Sequence, residues 1–408
     1  MSAGRDVGDR PAIGLLTKEY PPEVYGGAGV HVAELARALA DLVDVRVHAF
    51  GAERDDPLVA ASYREWDALA GDAPHLAALR TVSADLAIAA GVEGVDLVHS
   101  HTWYANLAGH LAKLIYDVPH VVSTHSLEPL RPWKREQLGG GYALSSFCER
   151  TAVEGADAII AVSKGMRDDV LRAYPSIDPD KIEVIYNGVD PQAYRRVEDT
   201  RALIDHGIDP DRPYAVFVGR ITRQKGVVHL LDAAALLPAG TQLVLCAGAP
   251  DTPEIAAEFR TRVAELEDAP VEVIWIERML PQPEIAQLLS HAQVFVCPSI
   301  YEPFGIVNLE AMACGTPVVA SAVGGIVEYV VPGDNGWLVE FEPGDDALGS
   351  PVDPAGFARE FADRITQVLQ DGDAAAEMGR NGRRLVEDHF GWPAIAEQTA
   401  ALYRRLLG

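Results

Sequence analysis

The chain has 408 residues, 48% hydrophobic and 23% charged, which is length and apolar content for two or three domains with a large buried core. That apolar share argues against global disorder. Its 34 basic and 60 acidic residues leave a formal charge of −26, and this acidic excess argues against a general nucleic-acid binder and against electrostatic docking on anionic lipid. Cys148, Cys246, Cys297 and Cys314 are scattered, with no C-x-x-C pair. Neither a disulfide framework nor a structural zinc site is expected, and a reducing cytoplasm fits. The opening MSAGRDVGDRP is charged and predicts no secretory leader. The uncharged stretch 311–327 contains Gly, Thr, Ser and Pro and reads as buried strands and turns rather than a membrane span.

In chain order, AIGLLT (12–17) predicts a first strand, and GAGVHVAELARALADL (27–42) a helix with Val30, Leu35, Leu39 and Leu42 at helical spacing. Strands are predicted in the 43–50 region and at 96–100, 120–124, 158–162 and 181–187, with helical stretches between most of them. The pattern lapses between Pro191 and Pro213. It restarts with strands at 214–219, 242–248, 271–276, 293–299 and 316–321, and ends in an amphipathic helix over 392–408 with Pro393 in its first turn. Alternation of strand and helix implies α/β architecture with parallel sheets. The expectation is two doubly wound, Rossmann-like domains facing across a cleft. The first covers 1–195 plus the terminal helix 392–408, which crosses back to it, and the second covers 196–391. Ligands of such sheets gather at strand carboxyl ends and helix N-termini, where free N–H groups suit phosphate.

Three loops carry the candidate chemistry. In KEYPPEVYGGAGVH (18–31), Gly26 and Gly27 remove Cβ atoms where a helix begins, so the backbone can approach a phosphate; a plain tight turn would explain them equally. In VGRITRQKG (218–226), Arg220, Arg223 and Lys225 cluster after a strand of an acidic protein, which favours anion binding over a solvated loop. In PSIYEPFGIVNLEAMACGTPVVAS (298–321), Glu302 and Glu310 form E-x7-E. Glu302 is expected in the loop and Glu310 about two helical turns on, about 12 Å away. Both could then grip opposite ends of one extended ligand through hydroxyl pairs; a helix-terminal acid and a salt-bridged acid would be the plainer explanation.

VGRITRQKG and SIYEPFGIVNLEAMACGTPVV, together with YGGAGVH, THS and VIYNGVD, resemble the retaining GT-B glycosyltransferases that include the bacterial glycogen synthases. The resemblance spans nearly the whole chain in the family's order. TKEYPPEVYGGAGVHV, the stretch from SHTWYANLAGH to EQLGGGY, and GRITRQKGVVHL are similar to the actinobacterial branch. That branch joins glucose from a nucleotide sugar, with ADP-glucose the expected donor, to glucose 1-phosphate or to α-glucan. The resemblance implies that Gly26 and Gly27 contact the donor diphosphate, and that His125 is the catalytic histidine that holds the donor sugar. Arg220 and Lys225 neutralise the leaving diphosphate, and Glu302 binds glucose hydroxyls. The amides of Phe304, Gly305 and Ile306 bind sugar and phosphate, and Glu310 binds ribose. One departure matters: the longer bacterial glycogen synthases have K-x-G-G, whereas Val24-Tyr25 precede Gly26 here.

His125 alone is ambiguous among twelve histidines. His99, His101 and His120 are near in sequence and raise a metal reading. H-S-H is taken to alternate faces of a strand, no Cys or acidic ligand is spaced to complete a zinc site, and no D-x-D motif lies in a phosphate loop, so no metal and no cofactor is expected. With no carboxylate placed as a nucleophile, the resemblance implies retention by front-side attack after domain closure.

The acceptor side is expected in SLEPLRPWKREQLGGGY (126–142), where Arg131 and Lys134 flank Trp133 and would hold a phosphate; pairing of these cations with Glu128 and Glu136 is the plainer alternative. The expected function is therefore glucosyl transfer to the 4-hydroxyl of glucose 1-phosphate, giving α-maltose 1-phosphate in α-glucan and glycogen biosynthesis. Elongation of α-1,4-glucan is the alternative within the family, as is a different sugar donor. A non-transferase, NAD-type Rossmann protein fits poorly, because GGAGVH lacks the third glycine of G-x-G-x-x-G. A phosphorylase would need about twice this length, and a hydrolysing epimerase would need no acceptor pocket. Expected partners are a nucleotide sugar and a phosphorylated sugar or α-glucan, with no nucleic acid and no membrane. A homo-oligomer is compatible with the sequence, which does not decide it.

Overall fold

Among the described residues, short runs of Val, Ile, Leu and Ala form thirteen strands, and seven of these are buried along their entire length. Continuous apolar runs of this kind belong to parallel sheets covered on both faces. The computed structural model describes residues 10–24, 26–248, 250–267, 269–346 and 349–408, apart from the side chains of Glu136 and Gln137.

The chain divides into two units, Met1–Gly188 with Trp392–Gly408, and Val189–Gly391. The first unit holds β1 (Ala12–Thr17), β2 (Asp44–Phe50), β3 (Val59–Tyr63), β4 (Leu97–His101), β5 (His120–Thr124), β6 (Ala158–Ala161) and β7 (Ile182–Val184). They pair in parallel in the order β3-β2-β1-β4-β5-β6-β7. The second unit holds β8 (Tyr214–Arg220), β9 (Gln242–Gly248), β10 (Glu272–Ile276), β11 (Val294–Cys297), β12 (Val318–Ser321) and β13 (Gly336–Val339), in the order β10-β9-β8-β11-β12-β13. These pairs are parallel too.

Each sheet starts in its middle, grows to one edge, and then returns to grow from the other side. The strand order reverses between β1 and β4 in the first sheet and between β8 and β11 in the second. In open α/β sheets the crevice outside the strand carboxyl ends at such a reversal is where ligands bind. Thr17 ends β1, His101 ends β4, Arg220 ends β8 and Cys297 ends β11, so the loops that follow carry the candidate residues.

The units part at Gly188, seven residues before the expected boundary at 195. Val189 bridges in parallel to Gly391, and its N–H donates to the Phe390 carbonyl at 2.8 Å, which ties the start of the second unit to its end. The terminal helix Trp392–Leu407 belongs to the first unit. It buries Trp392, Ile395, Ala396, Ala400, Leu402 and Tyr403 in one core with Leu35 and Leu39 of the helix Gly27–Leu39. In that helix Val30 is exposed, and Val32 is buried in its place. The four cysteines are buried and free. Among the described residues no helix is long and apolar enough to cross a membrane.

Candidate active site

In the first unit, β4 and β5 run side by side in register, and the helix Gly27–Leu39 follows β1. The result is a cluster of four imidazoles that the sequence holds far apart. The His31 and His125 rings meet edge to face with centroids 4.6 Å apart, and His99 and His101 lie 4.2 Å apart. His101 Nδ1 is 3.1 Å from His125 Nε2. The Tyr403 hydroxyl sits 2.6 Å from His99 Nδ1 and the Ser123 hydroxyl 2.8 Å from its Nε2, so the terminal helix braces the cluster. Burial pushes His31, His99 and His101 well below the usual histidine range and His125 down to about 4. His125 is therefore neutral near pH 7 and can hydrogen-bond a sugar without carrying charge.

The reading of H-S-H as two faces is corrected here, because residues two apart on a strand share a face. His101 and His125 are joined by His31 from a helix, with one ring nitrogen from each lying within 4.8 Å of the others. Three neutral nitrogens in this arrangement could hold a cation, which is a constellation that spacing along the chain did not reveal.

At the glycine loop, the Gly26 N–H donates to Glu19 Oε2 at 2.7 Å, so a carboxylate already occupies the first amide of the helix. Gly26 has extended backbone, a Cβ there would lie 3.9 Å from Glu19 Oε2, and Gly27 is exposed. Tyr25 lies outside the described residues.

The expected acceptor loop is more tightly tied than its sequence suggests. Lys134 is buried, with Nζ 3.3 Å from Glu128 Oε1, and burial lowers its pKa to about 8. Glu128 Oε2 also accepts the Ser145 hydroxyl at 2.6 Å. An ammonium held in this way is not offered to a phosphate unless the pair breaks. The Glu128 pairing weighed from sequence is present, but inside the fold rather than on its surface, while the Glu136 side chain lies outside the described residues. Arg131 donates to Ser126 Oγ at 3.0 Å, and its Nε is buried without a hydrogen-bond partner among the described residues.

In the second unit the loops after β8 and β11 converge. Lys225 Nζ bonds to Glu302 Oε2 at 2.6 Å, and the Ser299 hydroxyl donates to the same oxygen at 3.0 Å. The Glu302 carboxylate holds Lys225 above its ordinary pKa despite burial. Arg220 pairs with Asp251 at 3.0 Å. The helix Ile306–Ala313 begins after Gly305, whose φ of +86° favours glycine, and no side chain caps it. Its first amides therefore point toward whatever anion approaches. Glu310 lies four residues into that helix, only about 6 Å along the axis, so its expected place two turns along the helix is corrected to little more than one. Burial raises the Glu310 pKa to about 7.

The chain matches the model of Glycosyl transferases group 1 over residues 199–385 and that of Glycosyltransferase Family 4 over 25–193. It is 52% identical to the alpha-maltose-1-phosphate synthase of Mycolicibacterium smegmatis over 97% of this chain and 99% of that one. The chain belongs to the group 1 GT-B glycosyltransferases. It is also 30% identical to the D-inositol 3-phosphate glycosyltransferase of Thermobispora bispora, over 94% of this chain and 90% of that one. The solved sucrose-phosphate synthase of Thermosynechococcus elongatus superposes with a TM-score of 0.73 at 27% identity, over 97% and 99% of the two chains.

Two parts of this glycosyltransferase were not singled out from sequence. His31 could be found only by knowing that its ring meets His101 at the end of β4 and Trp392 of the terminal helix. Gly324 has φ +51°, and a Cβ there would lie 1.8 Å from the Glu302 carbonyl oxygen, while the Gly325 N–H donates to that carbonyl at 3.2 Å. This glycine pair fixes the main chain of Glu302 from behind.

Proposed function

We propose that this glycosyltransferase moves glucose, with retention, from a nucleotide sugar to the 4-hydroxyl of glucose 1-phosphate, giving α-maltose 1-phosphate for α-glucan synthesis. The donor is ADP-glucose. The full-length similarity to a maltose-1-phosphate synthase carries the substrate reading. The names of the two other relatives, each with a phosphate ester, support a phosphorylated acceptor.

The chemistry follows from the second unit. Departure of the diphosphate builds negative charge on its leaving oxygen and positive charge on the sugar. Lys225, Arg220 and the amides of Phe304, Gly305 and Ile306 stabilise the former. Glu302, released from Lys225, accepts hydrogen bonds from the glucose hydroxyls, and Glu310 accepts those of the ribose. Gly26 and Gly27 meet the diphosphate from the first unit, the Gly26 amide changing its partner from Glu19. Neutral His125 holds the donor sugar. The C1–O bond to diphosphate breaks, the C1–O4 bond forms on the same face, and the acceptor proton passes to the departing phosphate oxygen.

No metal is needed to neutralise the leaving group in this reading. The test combines purified protein with ADP-glucose or UDP-glucose and with glucose 1-phosphate or glycogen, with and without EDTA, and identifies products by mass spectrometry. A hexose disaccharide phosphate from ADP-glucose, unaffected by EDTA, is expected. Glycogen extension with no disaccharide phosphate would replace the acceptor. Loss with EDTA and rescue by a divalent ion would place a cation in the reaction.

A further inference from the structure

An open cavity of about 580 Å³ in the first unit is lined by Lys18, Glu19, Glu23, Phe50, Arg64 and Glu65 among others. It lies at the carboxyl ends of β1, β2 and β3, beside the point where the strand order reverses. Its volume is in the range of small-ligand sites. The three carboxylates in its wall are each engaged. Glu19 accepts the Gly26 N–H at 2.7 Å, Glu23 pairs with Arg54 at 3.1 Å, and Glu65 pairs with Arg80 at 3.1 Å. The two remaining cations are not. Neither Lys18 nor Arg64 has a carboxylate partner among the described residues. Lys18 Nζ instead lies 4.3 Å from the centre of the Tyr104 ring, a contact that positions the ammonium without neutralising it. Burial lowers the Lys18 pKa against the pull of Glu65 and Glu19, so an anion beside it would recover part of that desolvation cost.

We infer that this cavity is the acceptor phosphate site, with Lys18 and Arg64 binding the phosphate of glucose 1-phosphate. The inference rests on the phosphorylated-acceptor reading above. It differs from the sequence-based clamp, whose Lys134 is committed to Glu128. The engaged carboxylates of the wall keep free lone pairs for the sugar hydroxyls, which accounts for acids in an anion site. The position next to Glu19 and Gly26 sets the acceptor beside the loop expected to meet the donor diphosphate.

Steady-state kinetics of the full chain test this with Lys18→Gln, Arg64→Ala and Arg131→Ala, each assayed at saturating donor with glucose 1-phosphate and with maltoheptaose. Lys18→Gln is expected to raise the KM for glucose 1-phosphate about tenfold or more, and Arg64→Ala about threefold or more, with kcat/KM falling far more for this acceptor than for maltoheptaose. Lys18→Arg should recover part of the loss. Arg64 is exposed, so its variant reports on the site even if replacing the more buried Lys18 lowers stability. Equal losses on both acceptors, or a selective loss confined to Arg131→Ala, would overturn the inference. If the wild-type protein uses glucose 1-phosphate and both Lys18→Gln and Arg64→Ala are unaffected, only the site falls. A wild-type protein unable to use glucose 1-phosphate would remove the acceptor reading and the site with it.

Discussion

Lys225 and Glu302 neutralise each other at 2.6 Å, whereas the proposed transfer sets one on phosphate and the other on sugar. Their pair keeps two charges satisfied in a largely desolvated place. Removing one partner strands the other, so both stability and rate should respond. Lys225→Ala is expected to lower kcat at least about a hundredfold, consistent with about 3–4 kcal/mol for one preorganised transition-state contact, in protein with an unchanged circular-dichroism spectrum. Near-normal turnover in folded Lys225→Ala would end its assignment to the leaving group. Glu310 offers a second check. With its pKa near 7, it is ionised and able to accept two ribose hydroxyls above that pH, and protonated below it. The kcat/KM for donor should therefore rise from pH 6 to pH 8, and Glu310→Gln should be slower and lack that rise. A Gln variant with the wild-type profile would assign the titration elsewhere.

At the scale of elements, the positive-φ glycines behind the donor loop are as consequential as the residues in it. Gly324→Ala would force a Cβ against the Glu302 carbonyl, so the loop must shift. A loss of about tenfold or more in kcat/KM for donor is expected, since small displacements of a positioned group are costly. Gly240→Ala is the control: φ is again positive, at +85°, but nothing lies within 4 Å of the added Cβ, and activity should hold while the melting temperature falls modestly. Unchanged kinetics in Gly324→Ala would show that Glu302 is not fixed from behind.

The central strands were legible from sequence because they are continuous apolar runs; β1 was read at its observed limits, 12–17. β3 and β13 were not read. Both lie at sheet edges, are only partly buried and carry no run of β-branched residues. The E-x7-E and basic-loop residues were legible as motifs. The histidine cluster, the Lys134–Glu128 pair and the Lys18 cavity were not, since each depends on side chains that meet only after the sheet forms. Lys134 in particular reads as an exposed cation until Glu128 is seen folded under it.

For the whole molecule, buried neutral histidines make stability depend on pH. Burial lowers His48 to about 4 and His120 to about 3, against about 6.5 for an unfolded histidine. Between those values the unfolded chain binds more protons. The stability these groups contribute is therefore full above pH 6.5 and is lost as pH falls toward 4, by up to about 1.4 kcal/mol per pH unit for each. The melting temperature should fall from pH 7 to pH 5, and His120→Gln should flatten that slope. An unchanged slope would show that His120 is not held neutral.

Proton NMR of one reaction shows whether glucose passes, with retention, to glucose 1-phosphate. ADP-glucose and glucose 1-phosphate are mixed with the protein, and the new anomeric signal is followed from its first appearance. An α-anomeric doublet with the small coupling of an axial–equatorial pair, a linkage to C4, and an intact phosphate ester at the reducing end are expected. A β-anomer, free glucose alone, or no product in the presence of active protein that extends glycogen would contradict that transfer.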